Sequence, residues 1–118
     1  MNNIFLLAWM DDWQMSARLA KLSSTYSYKL VFCENRLQFP DSAAQSVVII
    51  DLDSVEKDEF QNVSHLQDDD SIFIIGYAKD LDGAQIKHFR GFGYDMILRR
   101  KKLLKNLDSI LQKVMHAH

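Results

Sequence analysis

Ser46-Val47-Val48-Ile49-Ile50-Asp51-Leu52-Asp53-Ser54 sets a β-branched apolar run directly before a carboxylate. Apolar runs of four to eight residues without alternation suit a strand buried on both faces, as in a parallel sheet with helices above and below. In open α/β sheets, ligands and chemistry gather just beyond the carboxyl ends of such strands. Asp51 is therefore the first candidate for function, and the other segments are read by their relation to it.

Upstream, Ile4 to Trp9 reads as a first buried strand, followed by Asp11 and Asp12 at a plausible helix start. Met15, Leu19 and Leu22 then fall at helical spacing, predicting a first helix from Trp13 to about Ser23, ended by Ser23-Ser24-Thr25. Tyr28 to Cys33 has the aromatic and β-branched content of a second strand. The segment from Glu34 to Gln45 holds the only proline, Pro40, and predicts a stunted helix or an irregular loop.

Downstream, Val55 to Gln67 carries a moderate helical pattern, a third helix, and ends in the acidic run Asp68-Asp69-Asp70, read as a solvated turn. Ile72 to Ile75 is a fourth strand leading into Gly76-Tyr77-Ala78-Lys79-Asp80. Leu81 to Arg90 reads as a fourth helix with Ile86 and Phe89 inward, stopped by Gly91 and Gly93. Asp95 to Leu98 makes a short last strand. Leu103, Leu107, Ile110, Leu111 and Val114 follow the periodicity of an amphipathic fifth helix. Met115 to His118 is expected to fray, its two histidines included. Strand and helix thus alternate five times, which predicts an α/β fold with a parallel sheet and helices on both faces.

Composition bounds the function classes. A chain of 118 residues fits one domain, spanning 1–118, with one core. Its 14 basic and 16 acidic residues give a formal charge of -2, so no global argument for nucleic acid or a membrane follows. Ile4 to Met10 is too short for a membrane span and lacks the basic flank of a secretory signal. With Cys33 alone there is no internal disulfide, which suits a cytoplasmic protein. Cys33 itself reads as a small buried hydrophobe. A flavodoxin-like enzyme or ligand domain would want a phosphate-cradling glycine loop after the first strand, yet the four glycines are Gly76, Gly83, Gly91 and Gly93. The chain is therefore not expected to be an enzyme.

The order of segments, with Val47-Val48-Ile49-Ile50-Asp51-Leu52, Ile72 to Asp80 and Gly93 to Arg100 at their spacings, resembles the receiver domain of bacterial two-component response regulators over nearly the whole chain. The resemblance implies a doubly wound, flavodoxin-like five-stranded sheet of order 2-1-3-4-5. It places the family's phosphoacceptor at Asp51, a carboxylate nucleophile able to form an acyl phosphate. The pair of acids that follow the first strand and hold Mg²⁺ falls on Met10 and Asp11, with Asp12 next, counting from the second strand; counting from Asp51 favours Ala8 and Trp9. A metal, if bound, would use Asp11 and Asp51; otherwise no cofactor is expected.

Four further positions depart from the family pattern. Its small hydroxyl residue is matched by Tyr77, its lysine-proline pair by Arg100-Lys101, and its aromatic switch position by Ile97. Carboxylates at Asp11, Asp12 and Asp51 in one pocket repel, at about 4 kcal/mol per pair for a spacing of about 4 Å and an effective dielectric near 20. Arg100 is a cation the protein itself supplies, and a bidentate pair with Asp51 or Asp11 is the expected solution. The alternative reading of Asp51 is a polar strand terminus or helix cap; that of Arg100 is one more charge in the run Arg99 to Lys102.

These readings together predict a stand-alone, pseudo-receiver signalling module whose phosphorylation pocket has degraded; the alternative is a competent phosphoacceptor in a phosphorelay, taking a phosphoryl group on Asp51 with Mg²⁺ from a histidine kinase. The resemblance implies protein partners, a histidine kinase or an effector, meeting the fourth helix, fifth strand and fifth helix, and leaves a homodimer open. Neither nucleic acid nor membrane is expected. Trp9 is read as core, Trp13 as a lid over the acids, Phe89 as core and Phe92 as an exposed contact.

Overall fold

Every residue of the central strand, Ser46 to Asp51, is buried, as its unalternating sequence requires. A computed structural model describes residues 5–32, 46–54 and 72–116. Its elements are β1 (Phe5–Trp9), α1 (Trp13–Tyr26), β2 (Lys29–Phe32), β3 (Ser46–Asp51), β4 (Ile72–Ala78), α2 (Gly83–Arg90), β5 (Met96–Arg99) and α3 (Arg100–His116). The strands form one sheet in the order β2-β1-β3-β4-β5, every neighbouring pair parallel. This is the doubly wound α/β arrangement predicted from the sequence. The expected fourth and fifth helices are α2 and α3. Cys33, the Glu34–Gln45 segment, the expected third helix and the acidic run lie outside the described residues, as do Ile4 and His118.

Alternate side chains of the central strands pass to opposite faces and define two cores. On one face Leu6, Ala8, Val47, Ile49, Ile75 and Tyr77 meet Met15 and Leu19 of α1 and Leu103, Leu107, Leu111 and Val114 of α3. On the other, Leu7, Trp9, Val48, Ile50, Ile74 and Ile97 gather Leu52, Leu81 and Tyr94, with Ile86 and Phe89 of α2 packed against them. Trp9 therefore sits where the sequence put it, whereas Phe89, read as core, is only partly buried against it. Phe92, read as an exposed contact, is likewise half-buried against this second core and stands edge-on to His88 at 5.1 Å between ring centroids.

Local chemistry sets the element ends. Asp12 caps α1, its carboxylate accepting from the Met15 amide at 3.1 Å. The serine-threonine cluster does not stop α1 at Ser23, because Thr25 donates back to the Lys21 carbonyl at 3.0 Å and the helix continues to Tyr26. It ends at Ser27, left-handed at φ 60°. Asp82 and Gln85 form a reciprocal capping box on α2. The start of β5 is held by Asp95, whose carboxylate and amide both pair with the backbone of Ile74 at 2.8 and 2.9 Å. α3 follows β5 without a loop and runs to His116, beyond the predicted end of its periodicity.

Candidate functional site

The parallel register brings Asp51 opposite Tyr77 and Trp9 opposite Ile50, so the exits of β1, β3 and β4 form one rim. α1 and α3 begin at the same end of the sheet, because each starts where a strand stops. A cleft of about 560 Å³ opens there, lined by Asp11, Asp12, Trp13, Gln14, Asp51, Asp53, Ser54, Lys79 and Arg100.

The best-connected side chain in it is Asp12. Arg100 grips it with two bonds, Nε to Oδ2 at 2.8 Å and Nη2 to Oδ1 at 3.2 Å. The same guanidinium donates to Oε1 of Gln14 at 2.9 Å. The Tyr77 hydroxyl, on a ring with no solvent exposure, donates to Oδ2 of Asp12 at 3.0 Å and lies 3.8 Å from Sδ of Met10. With the Met15 amide, four donors surround one carboxylate. The Arg100 hydrogen bonds, foremost, hold the Asp12 pKa down at about 2, against the opposing cost of burial. Burial, with Asp51 and Asp12 nearby, pushes the Tyr77 phenol far above its ordinary value, so it stays a donor.

Arg100 thus turns inward into a bidentate pair, but its partner is Asp12 and not Asp51 or Asp11, the partners expected from sequence. The cause is position: Asp12, as the cap of α1, is fixed by its bond to the Met15 amide, whereas Asp11 is exposed. Asp51 is 6% exposed and keeps to its own strand end. Its Oδ1 accepts from the Asp53 amide at 3.0 Å and its Oδ2 from the Ser54 hydroxyl at 2.7 Å, a turn closed on the carboxylate. Asp53 in turn accepts from the Lys79 amide at 2.9 Å, tying this turn to the exit of β4. Gln14, Asp53, Ser54 and Lys79 were not singled out from sequence. The spacing Asp-x-Asp-Ser was the available signal, since an aspartate two residues before an amide and three before a hydroxyl favours such a turn.

Comparison with known proteins is informative only in three dimensions. No family model matches the sequence, and no curated protein does. A response regulator from Burkholderia multivorans superposes with a TM-score of 0.69 at 16% identity, covering 95% of this chain and 96% of that one. The phosphorylated cyanobacterial phytochrome response regulator RcpA superposes at 0.71 and 12% identity, covering 100% and 97%. A protein assigned to pilus assembly from Burkholderia thailandensis does so at 0.70 and 18%, covering 98% of each chain. The chain has the receiver-domain fold.

At the exits of β4 and β5 stand Tyr77, whose ring is immobilised in the first core, and Arg100, already engaged by Asp12. Ile97 is buried in the second core opposite Gly76. The described residues do not fit a divalent cation. Both oxygens of Asp12 and both of Asp51 face donors, and no three potential ligands converge among the described residues. Trp13, 85% exposed on the rim of the cleft, covers nothing and is not a lid.

Asp51 gives the receiver fold a pH signature. Burial, the largest influence, raises its pKa, outweighing the bonds from Ser54 and Asp53. A carboxyl raised in the folded state stabilises fully below its unfolded value near 3.8 and loses that contribution as pH rises through the folded value. Asp51→Asn, which keeps an acceptor for the Asp53 amide, therefore raises the melting temperature by a few degrees at pH 7 and by nothing at pH 3.5. Thermal denaturation of both proteins at the two pH values measures this, and equal melting temperatures at pH 7 contradict it.

Proposed function

We propose that the chain is a pseudo-receiver: a non-enzymatic, cytoplasmic signal-transduction module that works by protein–protein contact, its phosphorylation pocket closed by its own side chains. The observation that carries this reading is the bidentate Arg100–Asp12 pair with the Tyr77 hydroxyl on the same carboxylate. In an ordinary receiver the phosphoryl charge biases two arrangements of the output face. Here a planar guanidinium stands in for a compact ammonium. The permanent Arg100–Asp12–Tyr77 network holds one arrangement without phosphate. The output face corresponding to that of the family is α2, β5 and α3, where a kinase or an effector would dock. No helix among the described residues is long and apolar enough to cross a membrane.

Tryptophan fluorescence tests it, because Trp13 lines the cleft and Trp9 ends β1 beside β3. Adding Mg²⁺ and then beryllofluoride or acetyl phosphate leaves the emission unchanged. A saturable response that is lost in Asp51→Asn would overturn the proposal and make Asp51 a working phosphoacceptor.

A further inference from the structure

The chain is acidic overall, yet from Arg100 to Val114 five basic residues, Arg100, Lys101, Lys102, Lys105 and Lys113, stand against one acid, Asp108. That acid is engaged by the Tyr26 hydroxyl at 3.0 Å. Lys102, Asn106, Ile110 and Lys113 fall at i, i+4, i+8 and i+11, a single stripe along α3. Beside this stripe lies β5, an edge strand whose Met96 and Leu98, two residues apart, point the same way. Together with Ser109 these residues line a groove of about 400 Å³. Met96, Leu98 and Ile110 are only partly buried against the first core, so the floor is aliphatic. A lysine stands at each end of the stripe, about 16 Å apart at the helical rise.

We infer that this groove docks an acidic amphipathic helix of a partner protein. Carboxylates eleven residues apart on such a helix meet Lys102 and Lys113, and the aliphatic residues between them cover Met96, Leu98 and Ile110. A second copy of the chain does not suit the groove, because two-fold docking sets these lysines against one another. Nucleic acid suits it no better, since the floor offers no aromatic ring for a base to stack on. The inference rests on the reading that the module works by protein contact on the face of α2, β5 and α3, and it adds which groove of that face the partner enters and what chemistry it carries.

The probe is a fluorescein-labelled peptide helix with glutamates eleven residues apart and leucines between them, titrated into the full chain and followed by anisotropy. Saturable binding that added salt weakens is expected. The exposed double variant Lys102→Glu/Lys113→Glu, checked for folding by circular dichroism, weakens it at least about tenfold, and a lysine-for-glutamate peptide recovers binding to that variant. Absence of binding, or equal binding to both proteins, overturns the inference. So does a labelled DNA duplex competing the peptide away, or a dimer in sedimentation that the double variant abolishes. None of these outcomes bears on the phosphorylation pocket, since Asp12, Asp51 and Arg100 are unchanged throughout.

Discussion

Asp12→Ala lowers the stability of the fold by about 3 kcal/mol at pH 7, or about 10 °C in melting temperature for a domain of this size. Three losses combine. The α1 cap goes, worth about 1 kcal/mol. The charge-assisted bond to Arg100 goes as well, at the low end of about 1.5–3 kcal/mol because the arginine side chain, 25% exposed, regains water. The Tyr77 hydroxyl, wholly buried, loses its oxygen acceptor. These losses share one carboxylate and do not add in full. Asp12→Asn keeps an acceptor for the Met15 amide but sets an NH2 where Tyr77 and Arg100 Nε donate, so it recovers the cap alone and costs about 2 kcal/mol.

The same substitution has a pH limb of its own. A carboxyl depressed to about 2 contributes stability that is present above its unfolded value of 3.8 and is lost as pH falls through 2. The gap between wild type and Asp12→Ala therefore narrows as pH falls from the higher of those values to the lower. Chemical denaturation followed by circular dichroism across that range measures the gap. A gap below about 1 kcal/mol at pH 7, or one unchanged at pH 2, would show that Asp12 is a surface acid and no organising one.

The sheet was legible in the sequence because its strands are buried on both faces and so carry uninterrupted apolar runs, Val47 to Ile50 and Ile72 to Ile75. Asp51 at the end of one run was legible for the same reason. The inward turn of Arg100 could be anticipated from charge balance, since neighbouring carboxylates need a cation. Its partner could not. Whether Asp11 or Asp12 meets Arg100 depends on which residue caps α1, and Asp11 and Asp12 are equally good caps by type. Only the backbone decides, at φ -140° for Asp12. Phe92 was misjudged because its flanking glycines suggest exposure, whereas the turn after α2 folds it back beside His88. The Asp51 turn was not legible because Asp-Leu-Asp-Ser suits a helix cap as well as a turn, and only the backbone after Asp51 decides which donors its carboxylate meets.

Gly76→Val destabilises the fold by about 3 kcal/mol, although valine is the better strand former. Gly76 lies in β4 between β3 and β5, where intrinsic preference alone favours a β-branched residue. A Cβ there would come 2.9 Å from Cδ1 of Tyr94 and 3.2 Å from Cδ1 of Leu52, closer than packed atoms approach. Neither neighbour can easily give way. Tyr94 is packed edge-on to Phe89 at 6.4 Å, and the ring is held in a core where its hydroxyl has no partner among the described residues. Leu52 belongs to the turn that Asp51 closes, its amide bonded to the Tyr77 carbonyl at 2.8 Å. Relief must therefore come from removing the ring. Tyr94→Ala costs about 3–5 kcal/mol alone, by analogy with other large aromatic truncations. Combined with Gly76→Val it costs less than the sum by about 1 kcal/mol or more, since the valine partly fills the space that the ring leaves. A double-mutant cycle by urea denaturation gives the coupling. Strict additivity would mean that Gly76 answers to some constraint other than the Tyr94 ring, and the glycine would then no longer explain how an aromatic side chain from the loop before β5 occupies the core beside Ile97.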